Sequence, residues 1–200
     1  MKQILPRIWQ WSWFSPEKQL DFNGHLLAVG DHRILVDPPP MDQTDRAQIR
    51  QGGQIDYIII TNRDHEREAE TLRKEFQCQV LVPDPDAKEM SIQPTKTYTD
   101  GELLPGGLWV VHLTDQKSLG ECALFLQQGK GIMIVGDALI GKPPGAVSLL
   151  PSEKYADCSK ARQGLQRLLK YNFDSLLVGD GVSILSEAKA AVERALQKTP

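Results

Sequence analysis

The sequence predicts an α/β fold of the α+β kind: a four-layer αββα sandwich of two mixed β-sheets with outer helices. Three observations predict it. Short runs rich in Val, Ile and Leu recur along the chain, most clearly at 55–61, 131–136 and 175–179. Helix-compatible segments separate some of these runs and only short turns separate others, so parallel and antiparallel pairings must mix. Charged or acidic clusters follow three of the apolar runs, at Asn62–Arg67, at Asp137 and at Asp180. Acids gathered at strand ends read as the rim of an active site.

The elements follow in order. Residues 7–14 alternate aromatic or apolar with polar side chains, the period of a half-buried strand, so Trp9, Trp11 and Trp13 share one face and form a core wall. Residues 19–29 and 33–37 read as two strands joined by the turn signal Gly30-Asp31, and Pro38-Pro39-Pro40 stops the second. Residues 42–51 are helix-compatible, with Gly52-Gly53 as the stop. Residues 55–61 are the most apolar strand and therefore central. A helix is expected over 65–77 and a short strand from Cys78 to Val82. Segments 95–99, 108–114, 121–127 and 131–136 are consecutive strands, with Pro105-Gly106-Gly107 and Gln128–Gly131 as turns. Residues 152–171 read as one long amphipathic helix capped by Ser152, followed by a buried strand at 175–179 and a last helix at 184–197.

Composition sets the class. A chain of 200 residues fits one domain, 1–200, and can bury about 70% of its unfolded surface. Hydrophobic residues make up 40% and charged residues 24%, with a net charge of -3 spread along the chain. That pattern predicts neither nucleic-acid nor membrane binding. Pro6, Arg7, Gln10 and Ser12 interrupt any signal-peptide core. Cys78, Cys122 and Cys158 are odd in number and widely spaced, as expected of reduced thiols in the cytoplasm.

The order of elements and their strand ends resembles the metallo-β-lactamase fold. Five landmarks carry the resemblance, which spans nearly the whole chain. Leu35-Val36-Asp37-Pro38 looks like the family's early strand ending in aspartate. Asp56–Thr61 looks like the strand that leads into its H-x-H-x-D-H metal motif. Lys117-Ser118-Leu119-Gly120 aligns with its H-T-P-G turn. Ile132–Asp137 matches the strand that carries a metal-bridging aspartate, and Leu176–Gly181 the strand that ends in G-H-G.

The resemblance implies a site for two metal ions, usually zinc, held by histidines and aspartates that activate a bound water. This chain departs from it. Over H-x-H-x-D-H it reads Asn62-Arg63-Asp64-His65-Glu66-Arg67, so the motif positions hold Asn62, Asp64, Glu66 and Arg67. The H-T-P-G histidine is Lys117 and the G-H-G histidine is Asp180, while Asp137 is retained. A second register, with a two-residue deletion, puts Asp64-His65 on the family's D-H pair.

A guanidinium cannot ligate a metal, and an ammonium is repelled by one. The expected reading is therefore a degenerate, non-catalytic or ligand-binding protein with no cofactor, in which Arg67 and Lys117 replace metal charge. Asn62, Arg63, Arg67 and Lys117 would then form a site for an anionic small molecule. The alternative is a hydrolase with a rebuilt site. There Asp64, Glu66, Asp137 and Asp180 hold one divalent metal (Mg, Mn or Zn), and Asp64, His65, Lys117 and Asp137 carry the chemistry. His65 stands at an intervening motif position, so its ring is expected to point away. Gly136, Gly179 and Gly181 are read as serving tight turns. A homodimer through an aromatic or apolar face is compatible with the sequence.

Overall fold

The computed structural model describes residues 1–197. A first sheet has seven strands in chain order: β1 (Lys2–Leu5), β2 (Ile8–Ser15), β3 (Leu20–Val29), β4 (His32–Val36), β5 (Tyr57–Ile59), β6 (Gln79–Pro83) and β7 (Lys96–Tyr98). Strands β1 to β4 pair antiparallel and β4 to β7 parallel. The parallel crossovers are made by α1 (Gln43–Gln51) and α2 (Ala69–Phe76) and, before β7, by an irregular segment. A second sheet contains β8 (Leu103–Leu104), β9 (Leu108–His112), β10 (Cys122–Leu126), β11 (Ile132–Val135) and β12 (Ser175–Val178) in the order β12-β11-β10-β9-β8. Only β11 and β12 pair in parallel there, across a crossover that contains α3 (Cys158–Leu165). The last element is α4 (Ala188–Gln197).

Strand alternation builds the layers. Leu27, Ile34, Val36, Ile59 and Leu81 of the first sheet meet Val110, Leu124, Ile134 and Leu177 of the second. Their neighbours one residue away face outward: Leu26, Leu35, Ile58 and Val80 pack under Ile49 of α1 and Leu72 of α2. Val111, Ala123, Met133 and Leu176 pack under Leu165 of α3 and Val192 of α4. Strands buried on both faces are continuous apolar runs, which is why they stood out in the sequence. The sandwich is four-layered, as expected.

Several boundaries differ from expectation. The helix expected over 65–77 begins only at Ala69, because Arg63–His65 form a tight turn that carries His65 into the interior. The helix expected over 152–171 is broken. Ser152–Lys154 is a separate turn, and α3 starts at Cys158 because Asp157, not Ser152, accepts from the backbone of Ser159 and Lys160. Residues 166–170 tighten into a 3₁₀ turn. The last helix starts at Ala188 rather than 184, since Ile184 bridges back to Leu176. Edge strand β1 was not anticipated. The tryptophan wall is partial: Trp11 is buried against Pro39, whereas Trp13 is 40% exposed.

The two sheets are stitched at one edge. Asn23 of β3 links both sheets: its Oδ1 accepts from Gln10 (3.0 Å) and Ser12 (2.7 Å) of β2, while its backbone N–H donates to Gly179 (2.7 Å) and its side-chain amide donates to Val178 (3.0 Å) and Gly181 (2.7 Å). The N–H of Cys122 donates to the carbonyl of Thr61 (3.1 Å). These bonds bring together the loops that follow β4, β5, β11 and β12. Among the described residues, no helix is long and apolar enough to cross a membrane.

Candidate functional site

A pocket of about 650 Å³ opens over the stitched edge. Its floor is charged: Asp64, His65, Arg67, Lys117, Asp137 and Asp180. Its walls include Leu20, Phe22, Ile140, Leu149 and Leu150, and Lys18, Lys142 and Lys154 also line it.

His65 is the deepest of the floor residues, and its ring points in, not away. Its Nδ1 lies 2.8 Å from Asp37 Oδ2, and its Nε2 lies 3.4 Å from Asp137 Oδ1. Two glycines make room for the ring. A Cβ on Gly136 would collide with Thr61 and Asn62, and one on Gly179 would collide with His65 itself. Gly136 and Gly179 therefore serve close packing around His65. Of the three glycines, only Gly181, at φ +88°, has the turn conformation expected for all.

Asp37 anchors this centre. It is buried and accepts from the Thr61 N–H (2.8 Å), the Thr61 hydroxyl (2.6 Å) and His65. Burial pushes its pKa up, but His65, Arg67 and Thr61 outweigh burial and hold it below the usual carboxylate range. Burial and Arg67 press the His65 pKa down, yet Asp37 and Asp137 lift it to about 10. One contact argues otherwise: Arg67 Nη2 lies 3.2 Å from His65 Nε2, and a guanidinium can only donate, which would require a neutral ring. Charge balance favours the imidazolium. Asp37, Asp137 and Asp180 then face His65, Arg67 and Lys117, and no buried charge is left uncompensated.

The two other cations hold the remaining acids. Arg67 Nη2 donates to Asp180 Oδ1 (2.7 Å), while its Nη1 donates to the carbonyls of Asn23 (3.2 Å) and Asp37 (3.3 Å). Its guanidinium also lies 4.6 Å from the ring centre of Phe22. Residue Arg67 has a left-handed backbone, φ 38°, which turns its side chain back over the floor before α2 begins. Lys117 Nζ lies 2.7 Å from Asp137 and 2.9 Å from Asp64. Burial opposes the Lys117 charge, but Asp137 and then Asp64 hold its pKa above the ordinary value. Asp137 is lowered, because His65 and Lys117 outweigh its burial. Asp180 is raised, because burial outweighs His65 and Arg67.

The sequence-predicted residues divide. Asp64, His65, Arg67, Lys117, Asp137 and Asp180 line one pocket. Glu66 does not: it turns outward and accepts from the backbone (2.8 Å) and hydroxyl of Ser91. Arg63 also turns outward, to Glu89. Both follow from the tight turn at 63–65, which reverses the alternation that a strand would impose. Asn62 lies beneath the floor and caps that turn by accepting from the Asp64 N–H (2.9 Å). Each register explains a part: the first places Arg67, the second places His65.

Three supporting residues were missed. Asp37 was noted only as a strand landmark. Asp86 is buried and accepts from the backbone of Arg63 (2.8 Å) and Gly120 (2.8 Å) and from the Ser118 hydroxyl, so it fixes the turn that presents Lys117. Glu121 is buried and accepts from the Ala138 N–H (3.1 Å), and burial, then Asp137, pushes its pKa well above the usual carboxylate range. Only a buried acid beside an apolar strand could have signalled Glu121. Asp86 sits in Pro83-Asp84-Pro85-Asp86, which reads as an ordinary surface turn.

A sequence model described as the metallo-beta-lactamase superfamily matches residues 1–198. This chain belongs to the metallo-beta-lactamase superfamily. Solved structures agree on the fold. A metallo-beta-lactamase from Pontibacter korlensis superposes with a TM-score of 0.76 at 16% identity, covering 99% of this chain and 98% of that one. One from Hirschia baltica gives 0.69 at 13%, covering 100% and 98%. The protein TTHA1623, solved in a di-iron-bound form, gives 0.71 at 22%, covering 92% and 96%. At these identities the likeness is one of fold. No curated protein matches the sequence.

Proposed function

We propose that this superfamily member is a metal-free, non-hydrolytic ligand-binding protein, in which fixed side-chain cations stand where relatives hold metal ions. One observation carries the reading. Arg67 and Lys117 each lie 2.7 Å from a carboxylate, Asp180 and Asp137, at strand ends where the family resemblance expects metal ligands. The donor set does not fit a divalent pair. His65, Asp137 and Asp180 offer ligand atoms within 4.8 Å of one another, but all three already serve internal partners. An ion entering there would have to displace a guanidinium, strip a proton from His65 and stand beside Lys117. Glu66, expected as a fourth oxygen ligand, is turned away.

The convergence of His65, Asp137 and Asp180 favours a second reading, a single-metal hydrolase in which Arg67 swings out. Elemental analysis of untagged protein, prepared without chelators and offered zinc, manganese, magnesium and iron in turn, decides between them. The metal-free reading expects less than about a tenth of an equivalent of each. Near-stoichiometric uptake of any one overturns it. The reading further places the protein in the cytoplasm as a single domain, consistent with free thiols at Cys78, Cys122 and Cys158. A homodimer, if formed, would use the exposed Trp13 and Phe14 of β2, and sedimentation tests that.

A further inference from the structure

We infer that the ligand is an organic phosphate with an apolar body, its phosphate held by Lys18, Lys142 and Lys154 at the mouth of the pocket. The inference rests on the metal-free reading above, and it moves the anion site away from the floor. The floor cations are already occupied. Arg67 spends its fork on Asp180 and two backbone carbonyls, and Lys117 lies between Asp137 and Asp64. A ligand anion placed there would have to compete with buried carboxylates.

The mouth differs. Lys18 comes from the turn between β2 and β3, Lys142 from the loop after β11, and Lys154 from the turn before α3, yet all three line this one pocket. Among the described residues, Lys142 and Lys154 have no acid within ion-pair distance. Lys18 meets only Glu17, and both of those side chains are more than half exposed (57% and 81%), so that pair holds the ammonium weakly. On a chain of net charge -3, the pocket lining sets five Lys and Arg residues against three carboxylates. The imbalance comes from the mouth, since Arg67 and Lys117 are matched by the floor acids.

The kind of anion follows from the kind of cation. A planar carboxylate is best met by a guanidinium fork, and the fork in this pocket is taken. Separate ammonium groups act as point charges and suit a tetrahedral dianion approached from several sides. The body follows from the walls. Leu20, Phe22, Ile140, Leu149 and Leu150 line the same pocket with apolar surface, and a cavity of this size falls within the ~300–1,000 Å³ of sites that take small organic ligands.

Isothermal titration with octyl phosphate, inorganic phosphate and octanol tests this, each with and without EDTA and with and without added zinc or manganese. The native chain should bind octyl phosphate, bind inorganic phosphate and octanol far more weakly, and ignore EDTA. A Lys18→Ala/Lys142→Ala/Lys154→Ala variant, altered only at exposed positions, should melt like the native chain and bind octyl phosphate about tenfold or more weakly. Equal affinity in the triple variant, equal affinity for octanol, or no binding of octyl phosphate overturns the inference and leaves the metal-free reading standing. Binding that appears only with added metal overturns the metal-free reading instead, and this inference with it.

Discussion

The two halves of the pocket floor hold charge in different ways. On one side, His65 and Arg67 are nearly sealed, with side chains 2% and 9% exposed. They reach Asp37, Asp180 and backbone carbonyls that belong to the first sheet and the sheet-to-sheet stitch. On the other side, Lys117 is 30% exposed, and one of its two partners, Asp64, is 41% exposed. The first half is part of the frame. The second is a solvated lid on one carboxylate. The difference separates residues that keep the edge assembled from residues that could respond to a ligand.

His65→Asn should have the largest effect. It takes the imidazolium from two buried carboxylates, Asp37 and Asp137, and should cost about 3–5 kcal/mol in denaturant unfolding. The pH dependence supplies a sharper test. With its folded pKa raised to about 10 from 6.5, His65 contributes stability that is complete below about pH 6.5, where both states hold the proton, and that declines above it, where the unfolded state loses a proton that the folded state keeps. That contribution should fall away as pH rises toward 10, so the native chain should show an alkaline decline there and the variant should not. A native stability flat over that window would mean a neutral ring accepting from Arg67. Arg67→Ala should come next, at roughly 3 kcal/mol, since it leaves Asp180 buried without its partner and frees two backbone carbonyls. A loss no larger than that of Lys117→Ala would erase the distinction between the halves.

How much of this was legible depended on the length scale of the signal. The sandwich was readable because strands such as Ile58-Ile59-Ile60 and Ile132-Met133-Ile134-Val135 are buried on both faces and cannot be mistaken for surface. The strand-end acids Asp137 and Asp180 and the cations Arg67 and Lys117 were readable from their places on the family landmarks. The direction of His65 was not. Direction along 62–67 depends on whether the segment stays extended or tightens, and one tight turn reverses which residues face in. The same turn sent Glu66 to Ser91 and Arg63 to Glu89. Asp37, Asp86 and Glu121 escaped notice because each acts through hydrogen bonds to groups distant in sequence, which leave no local pattern.

Lys117→Ala should cost less, about 1–2 kcal/mol, because water can solvate Asp64 and the freed side of Asp137. It should also raise the Asp137 pKa, since Lys117 is one of the two groups that hold it down. Acid unfolding would then begin at higher pH: a carboxylate held low in the folded state contributes stability that is lost as pH falls through its folded pKa, and that pKa would now be higher. An unchanged acid midpoint would mean that His65 alone sets Asp137.

Arg63→Ala marks the lower end of the scale and tests the turn itself. Under the first register Arg63 was a candidate for gripping an anion beside Arg67, yet in the fold it meets Glu89, which is 52% exposed, on the outer surface. Its side chain should contribute less than about 1 kcal/mol, as an exposed ion pair does, and its removal should leave octyl phosphate affinity unchanged. The backbone N–H of Arg63, which Asp86 accepts at 2.8 Å, survives the substitution. An Asp86→Asn variant releases that anchor while Arg63 keeps its charge. If Asp86→Asn weakens ligand binding and Arg63→Ala does not, the 63–65 turn acts on the pocket through its backbone, by presenting His65 and Lys117. If Arg63→Ala weakens binding as strongly, residues 62–67 run extended in solution, and the inward His65 would have to give way to Glu66.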